Sequence, residues 1–179
     1  ADLSASAHVR AGHRPVLRQS GLHVSVLCDR QIRQRIEIGL IDKAHRCWDH
    51  VGPASLDLCL GPQSRHLAPN QLLRSIVIGK VKPEDWTWRA NLDHLELSPD
   101  EFCLAHTLET VKLPAGLAGL VLGKSSIGRQ GLQVECAGWI DPGFEGQVTL
   151  ELKNLTPYPM SVAVESRICQ LVLLRMDDF

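Results

Sequence analysis

The sequence lacks a large excess of either charge and lacks any long apolar run. Its 19 Lys and Arg residues stand against 20 Asp and Glu residues, which leaves a formal net charge of -1. Proteins that bind nucleic acid through its phosphates usually carry a positive excess, so we expect no nucleic-acid partner and only a local anion site. The longest apolar runs, Leu117 to Leu122 and Leu171 to Leu174, fall far short of the ~20 residues that span a bilayer, so we expect no membrane partner.

The six cysteines form no C-x-x-C pair, the spacing typical of zinc sites and redox motifs. We therefore expect reduced, mostly buried thiols and a cytoplasmic location. The string His94-Leu95-Glu96 matches half of the signature of the zinc nucleobase deaminases, but the required P-C-x-x-C half does not follow it. Without further thiolates zinc has no complete coordination shell, so we interpret His94 as an exposed strand residue and expect no zinc.

What the chain does carry is enough apolar residues, 44% of 179, for the core of one globular domain. We predict a single domain over residues 23–179, preceded by a flexible arm over residues 1–22. The arm has few acidic residues, and its arginines have a helical spacing that glycine and proline interrupt. A transit peptide and a basic docking helix are the alternatives.

A short helix followed by many strands is the predicted architecture. Asp29 is expected to cap a helix that Gly39 closes in the left-handed region, and Ile32 and Ile36 share one face of it. Turn signals such as Gly61-Pro62 separate the later segments. In those segments apolar residues alternate with a period of two: Leu56, Leu58 and Leu60, then Val148, Leu150 and Leu152, then Met160, Val162 and Val164. The pattern predicts an all-β fold, a distorted β-barrel or jelly-roll.

Residues 66–91 fit this pattern poorly and combine basic residues with Trp86 and Trp88. Basic and aromatic residues together can stack nucleobases, but two tryptophans on one strand face more often pack against neighbours. We favour packing and leave the role of the stretch open.

A glycine- and hydroxyl-rich stretch over residues 123–131 follows an apolar strand. It is not a Walker A loop, because Ala118 stands where the first glycine is required. Its backbone N–H groups, the hydroxyls of Ser125 and Ser126, and the guanidinium of Arg129 suit a polyphosphate. From these residues alone, an ordinary basic turn is an equal alternative.

Two further stretches carry carboxylates. Asp141 directly precedes Pro142-Gly143, which is a type II turn signal. A carboxylate at this position either accepts a hydrogen bond from a sugar hydroxyl or caps its own turn. Glu151 lies on the polar face of a predicted strand over residues 147–154, where most carboxylates are solvated. Each of these signals is weak by itself.

Together, the order and spacing of these stretches resemble the dCTP deaminases of the dUTPase superfamily. The resemblance covers about residues 25–175, with residues 62–95 diverged. The matching strings are Asp29-Arg30-Gln31-Ile32, Val51-Gly52-Pro53-Ala54-Ser55-Leu56-Asp57-Leu58, Lys124-Ser125-Ser126-x-x-Arg129, Ala137-Gly138-Trp139-Ile140-Asp141-Pro142-Gly143-Phe144, Thr149-Leu150-Glu151-Leu152-x-Asn154 and Arg167-Ile168-Cys169-Gln170-Leu171.

The resemblance implies a homotrimer with active sites at the subunit interfaces, and Mg2+ carried on the triphosphate of dCTP or dUTP. It implies that Glu151 shuttles protons as dCTP is hydrolysed to dUTP and ammonia, because water is a poor nucleophile and the amino group a poor leaving group. Ser125, Arg129 and the backbone of Ala137 would position the attacking water. The implied substrate-binding residues are Lys124, Ser126, Arg129, Gly138, Trp139, Ile140, Asp141 and Gln170, with Asp141 on the 3'-hydroxyl of deoxyribose.

Three functions stay open. Glu151 favours deamination, because ordinary dUTPases place an apolar residue at that position. The string Ala-Gly-Trp-Ile-Asp is closer to the bifunctional deaminases, which continue to dUMP and pyrophosphate, and to dUTP diphosphatases. A non-catalytic relative that binds a nucleotide or a protein is the third, because the sequence reaches Phe179 without the polar tail that the resemblance implies.

Overall fold

The structure, a computed structural model, describes residues 25–42, 48–67, 76–90, 93–135 and 138–176. The predicted arm over residues 1–22 and the predicted catalytic residue Ala137 lie outside these ranges. Within them the fold is all-β with short helices, as the sequence predicts. None of the described helices has the length and apolar character needed to cross a membrane.

The described ranges contain short and long strands, two α-helices and two single-turn 3₁₀ helices. The strands are β1 (Ser25–Val26), β2 (Leu56–Leu67), β3 (Trp86–Arg89), β4 (His94–Leu97), β5 (Phe102–Lys112), β6 (Leu117–Gly123), β7 (Leu132–Glu135), β8 (Trp139–Ile140), β9 (Glu145–Asn154), β10 (Met160–Ala163) and β11 (Arg167–Arg175). The helices are α1 (Asp29–Glu37) and α2 (Ser125–Gly128), with 3₁₀ turns at Trp48–His50 and Pro83–Asp85.

The main sheet curls because its two ends are close together in the chain. Nine antiparallel strands follow the order β7-β9-β5-β2-β11-β6-β8, with β1 beside β11 and β3 beside β2, while β4 and β10 form a separate pair. The terminal strands β7 and β8 are consecutive in the chain. From Glu135 to Trp139 an extended chain spans at most about 14 Å, so the two edges of the sheet must approach each other. We call the gap between β7 and β8 the seam of the barrel.

Alternate residues of the long strands fill the interior of this barrel. Val148, Leu150 and Leu152 of β9 are at most 9% exposed, and the side chains between them face outward. Each leucine buried in this way stabilises the fold by roughly 1.5–3 kcal/mol. Three of the four cysteines in the described ranges are also buried, as expected. Val164, predicted as strand, lies in the turn after β10.

Helix α1 packs as predicted but is capped differently. Ile32 and Ile36 are 0% and 3% exposed and join the core. The predicted cap was wrong, because Asp29 is the first residue of the helix and its N–H donates to the Pro53 carbonyl at 3.0 Å. Gly39 closes the helix with φ at +93°, the left-handed conformation that glycine tolerates best.

Strand β2 continues through Gly61 and Pro62, where the sequence predicts a turn. The register between β2 and β5 shifts from Leu60 to Ser64, so these residues form a bulge, and a proline without an N–H is tolerated there. A Cβ on Gly61 would lie 2.3 Å from Cε1 of His106. Close packing against the next strand, and not a chain reversal, therefore requires this glycine.

The tryptophans of β3 pack against neighbouring side chains, as favoured above. The rings of Trp86 and Phe102 have centroids 6.4 Å apart. The guanidinium of Arg65 lies 3.7 Å from the centroid of Trp88, within the range of a cation–π interaction. His94 is exposed on β4, as interpreted from the sequence.

A buried chain of hydrogen bonds joins β2 to the segment before β5. Ser64 Oγ lies 2.9 Å from His66 Nε2, and His66 Nδ1 lies 2.7 Å from Glu101 Oε1. Burial lowers the pKa of His66, although the hydrogen bond that His66 donates to Glu101 opposes this change. Burial alone raises the pKa of Glu101, but hydrogen bonds from the Ser98 backbone and from His66 outweigh it and lower that pKa. The fold therefore favours neutral His66 and ionised Glu101.

We expect the free energy of unfolding to fall as the pH drops below the ordinary histidine pKa of 6.5. Because the folded pKa of His66 lies below its unfolded value, its stabilisation is complete above the unfolded pKa and is lost as the pH falls from there through the folded pKa. Thermal melts from neutral to mildly acidic pH measure this loss. His66→Gln should flatten the slope near pH 6.5, and the exposed control His94→Gln should not. An unchanged slope in His66→Gln would contradict the assignment.

Candidate active site

A cavity of about 310 Å³ lies across the seam of the barrel. Its walls come from β6 and β8, at one end of the main sheet, and from β9, next to the other end. Its size falls in the range of about 300–1,000 Å³ that is usual for small-molecule sites. We call it the β8–β9 pocket. Its lining is Val121, Gly138, Trp139, Ile140, Asp141, Phe144, Gln147, Val148, Thr149, Leu150 and Glu151.

Strand β8 pairs with β6, and alternate residues of β8 face the core and the pocket. The N–H of Val121 donates to the Gly138 carbonyl at 2.8 Å. Ile140 lies opposite Gly119 in the register, and a Cβ on Gly119 would lie 3.3 Å from the Ile140 Cβ, so this glycine permits the close approach. Ile140 is 5% exposed, whereas Trp139 is 54% exposed. The buried isoleucine therefore anchors the strand that presents the tryptophan.

Asp141 is oriented by the indole of Trp139. The Trp139 Nε1–H donates to Asp141 Oδ1 at 2.8 Å. The turn itself is closed by the backbone, from the Phe144 N–H to the Asp141 carbonyl at 3.2 Å, with Gly143 at a φ of +84°. The side chain of Asp141 therefore does not cap its own turn. It is exposed, and its second oxygen accepts no hydrogen bond from another residue in the described part of the chain.

Glu151 is half-buried on β9 and faces the pocket, so it is not an ordinary solvated strand residue. Within the described ranges its carboxylate forms no hydrogen bond or ion pair. Gln147 and Thr149 share its strand face and also line the pocket, although the sequence analysis did not name them as site residues. The period of two along β9 is the signal that identifies them.

The predicted phosphate-binding residues lie on a second surface. We call residues 124–129 the phosphate segment, and its Ser125, Ser126 and Arg129 are exposed on and after the short helix α2. None of them lines the β8–β9 pocket of the same chain. The chain thus presents two separate surfaces, one with the carboxylates and one with the hydroxyls and the guanidinium.

Lys124 differs from the rest of the phosphate segment because it forms an ion pair within the chain. Its Nζ lies 2.5 Å from Asp57 Oδ2, and Arg167 Nη1 lies 3.6 Å from the same oxygen. Gln170 lies opposite Asp57 in the register of β11 and β2, and its Oε1 accepts from Ser55 Oγ at 3.3 Å. We call these five residues the Asp57 cluster. Lys124 and Gln170 were both predicted to bind substrate. In the structure their side chains contact Asp57 and Ser55, which the sequence analysis did not name as site residues.

Comparison with known proteins identifies the family of the chain. Residues 26–176 match the model of a family described as dCTP deaminase-like. The chain belongs to the dCTP deaminase-like family. It is 39% identical over 156 residues to a dCTP deaminase, dUMP-forming, of Aquifex aeolicus (strain VF5), which covers 85% of this chain and 82% of that protein. A protein of the same name from Sulfurihydrogenibium sp. (strain YO3AOP1) is 37% identical over 161 residues, covering 86% and 85%.

The dCTP deaminase-like fold is also seen in a solved structure. The crystal structure of 2'-deoxycytidine 5'-triphosphate deaminase from Agrobacterium tumefaciens matches with a TM-score of 0.67 at 24% identity. The match covers 85% of this chain and 48% of that chain, so this chain spans about half of the solved one. The predicted dUTPase-like fold class is confirmed.

In this dCTP deaminase-like chain, we expect Asp57→Asn to lower the free energy of unfolding by about 1–3 kcal/mol. The side chains of Lys124 and Asp57 are only 21% and 14% exposed, so the substitution leaves a half-buried ammonium without its counter-charge. Urea denaturation measures the change, with the exposed Asp93→Asn as the control. Equal stability of the two variants would show that the Asp57 cluster does not hold β2 to the phosphate segment.

Proposed function

We propose that the chain hydrolyses dCTP at C4 to release ammonia and continues to dUMP and pyrophosphate. The observation that carries this proposal is the position of Glu151, which lines one pocket together with Asp141 and whose carboxylate forms no hydrogen bond or ion pair with any other described residue. The family match and the relatives named dCTP deaminase, dUMP-forming, support it. The geometry favours deamination because the Glu151 carboxylate, which can act as both base and acid, lines a pocket that a nucleoside would fit.

Glu151 acts as base and then as acid in the proposed deamination. It takes a proton from a water whose oxygen bonds to C4 of cytosine, and it passes that proton to N3. The second proton of the added water then goes by the same carboxylate to the amino nitrogen, the C4–N bond breaks, and ammonia leaves. The sum is dCTP and water to dUTP and ammonia, with Glu151 returned to its starting state.

Asp141 and Trp139 hold the sugar in this proposal. Trp139 fixes one oxygen of the Asp141 carboxylate, which leaves the other to accept from the 3'-hydroxyl of deoxyribose. The rings of Trp139 and Phe144 and the side chain of Ile140 supply the apolar part of the wall. The backbone from Gly138 to Ile140 is the polar part that would face the base.

Binding of the triphosphate requires the phosphate segment. We propose that each pocket uses the phosphate segment of a neighbouring subunit in a homotrimer. Ser125, Ser126 and Arg129 supply hydroxyl and guanidinium donors for phosphate oxygens, yet they do not line the pocket of their own chain. The phosphate segment contains no carboxylate. Mg2+ would therefore be held by the triphosphate oxygens and water, and would offset phosphate charge when bound.

The second step of the proposal cleaves the bond between the α and β phosphates. Water adds to the α phosphorus, the bridging bond breaks, and dUTP becomes dUMP and pyrophosphate. The string from Gly138 to Asp141 and the dUMP-forming relatives support this step.

We expect Glu151→Gln to lower the rate of ammonia release from dCTP and Mg2+ by about 10²–10⁴-fold, while the Kd for dCTP changes little. The amide keeps the size of the side chain but cannot accept the proton. The matched control is Glu145→Gln on the same strand, an exposed residue whose partner, Lys112, lies 2.6 Å away. Ammonia, pyrophosphate and nucleotides are measured separately.

Each outcome decides between the functions. Ammonia release that Glu151→Gln leaves unchanged would overturn the role of Glu151. Ammonia with dUTP as the final product would limit the wild-type chain to simple deamination, and pyrophosphate from dUTP without ammonia from dCTP would make it a dUTP diphosphatase. Binding of both nucleotides without turnover would identify a non-catalytic relative.

A further inference from the structure

Three side chains with different metal-ligating atoms meet outside the proposed active site. They are His50 of the 3₁₀ turn, Cys59 of β2 and Glu109 of β5, and one ligand atom from each lies within 4.8 Å of the other two. Cys59 Sγ and His50 Nδ1 are 3.8 Å apart. None of the three lines the β8–β9 pocket. The fold thus brings residues from three separate elements to one point.

The atoms at this point are the donor types that zinc selects. Imidazole nitrogen, thiolate sulfur and carboxylate oxygen bind zinc at about 2.0–2.3 Å in a tetrahedral shell, which separates neighbouring ligand atoms by about 3.5 Å. The 3.8 Å between Cys59 Sγ and His50 Nδ1 is close to that separation. Harder ions such as Mg2+ and Ca2+ prefer oxygen ligands and do not fit a sulfur and nitrogen pair.

Glu109 gives an independent reason to expect a cation here. It is 3% exposed, and its Oε2 accepts from the Cys59 N–H at 2.9 Å. In the part of the chain that the structure describes, the carboxylate has no ion pair with Lys, Arg or His. By contrast, the carboxylate of Asp57, two residues before Cys59, lies beside the side chains of Lys124 and Arg167. Burial of a carboxylate is costly, and a bound dication would offset that cost.

We propose that His50, Cys59 and Glu109 bind one Zn2+, with water as the fourth ligand. The Cys59 thiol loses its proton to solvent on binding, and the thiolate and carboxylate then balance the charge of the ion. The half-buried His50 gives the ion a route from solvent. The metal ties the Trp48–His50 turn to β2 and β5, so its role is to stabilise the fold, and it does not touch the base.

Metal titration of the full metal-free chain tests the site directly. Zn2+ is titrated in competition with a chromophoric chelator, and Co2+ is used in a parallel titration because a thiolate ligand gives it a charge-transfer absorption band. We expect one Zn2+ per chain, the thiolate band with Co2+, and a Tm that rises with Zn2+ concentration. No bound Zn2+, or Co2+ bound without the thiolate band, would overturn the proposal.

Substitutions identify the ligands. We expect His50→Ala, Cys59→Ser and Glu109→Gln each to weaken Zn2+ binding by about a hundredfold or more, and Cys59→Ser to remove the thiolate band of Co2+. The controls are Cys28→Ser and His94→Ala, which change exposed residues. Because Cys59 and Glu109 are buried and their variants risk misfolding, the half-buried His50 is the decisive position. Wild-type affinity in His50→Ala would also overturn the proposal.

Discussion

The short connection between β7 and β8 is the constraint on which the rest of the structure depends. These strands are the two ends of the main sheet, and three residues separate them in the chain. The sheet therefore has to curl until its edges meet. The same closure brings Gly138 to Asp141, at one end of the sheet, beside Glu151 on β9, near the other end. The residues of the proposed active site therefore meet at the seam of the barrel.

Strand β9 links the stability of the fold to the position of Glu151, the proposed proton-transfer group. Val148, Leu150 and Leu152 lie in the core, and Thr149 and Glu151 face the pocket. A slip of one residue would bury the carboxylate and expose the leucines, so the hydrophobic core sets the register that places Glu151. In the proposed reaction the position of Glu151 therefore depends on core packing.

Local sequence patterns predicted the strands, turns and helix end well. They did not predict contacts between residues that are distant in the sequence. The alternation along β9, the turn at Pro142-Gly143 and the glycine that closes α1 all depend on neighbouring residues, and the structure confirms them. The turn predicted at Gly61 was wrong because this glycine makes room for His106 across the sheet.

Ion pairs and clusters between distant residues have no sequence signature. The pair between Lys124 and Asp57 joins residues 67 positions apart, and Cys59 and Glu109 are 50 apart. No spacing motif contains either pair. Glu151 and the residues from Gly138 to Asp141 were predicted through family resemblance, whereas the rest of the pocket lining and its separation from the phosphate segment required the fold.

The proposed division of the site between two surfaces can be tested by mixing inactive subunits. Arg129→Ala would lack the proposed phosphate contact and Glu151→Gln the proposed proton shuttle, so in the proposed homotrimer each variant alone should be inactive towards dCTP. If every pocket takes the phosphate segment of a neighbour, equal mixing by joint refolding leaves both residues intact in about a quarter of the sites. We predict that about a quarter of the wild-type ammonia release returns. Mixed trimers, verified by mass, that stay inactive would contradict a site shared between subunits.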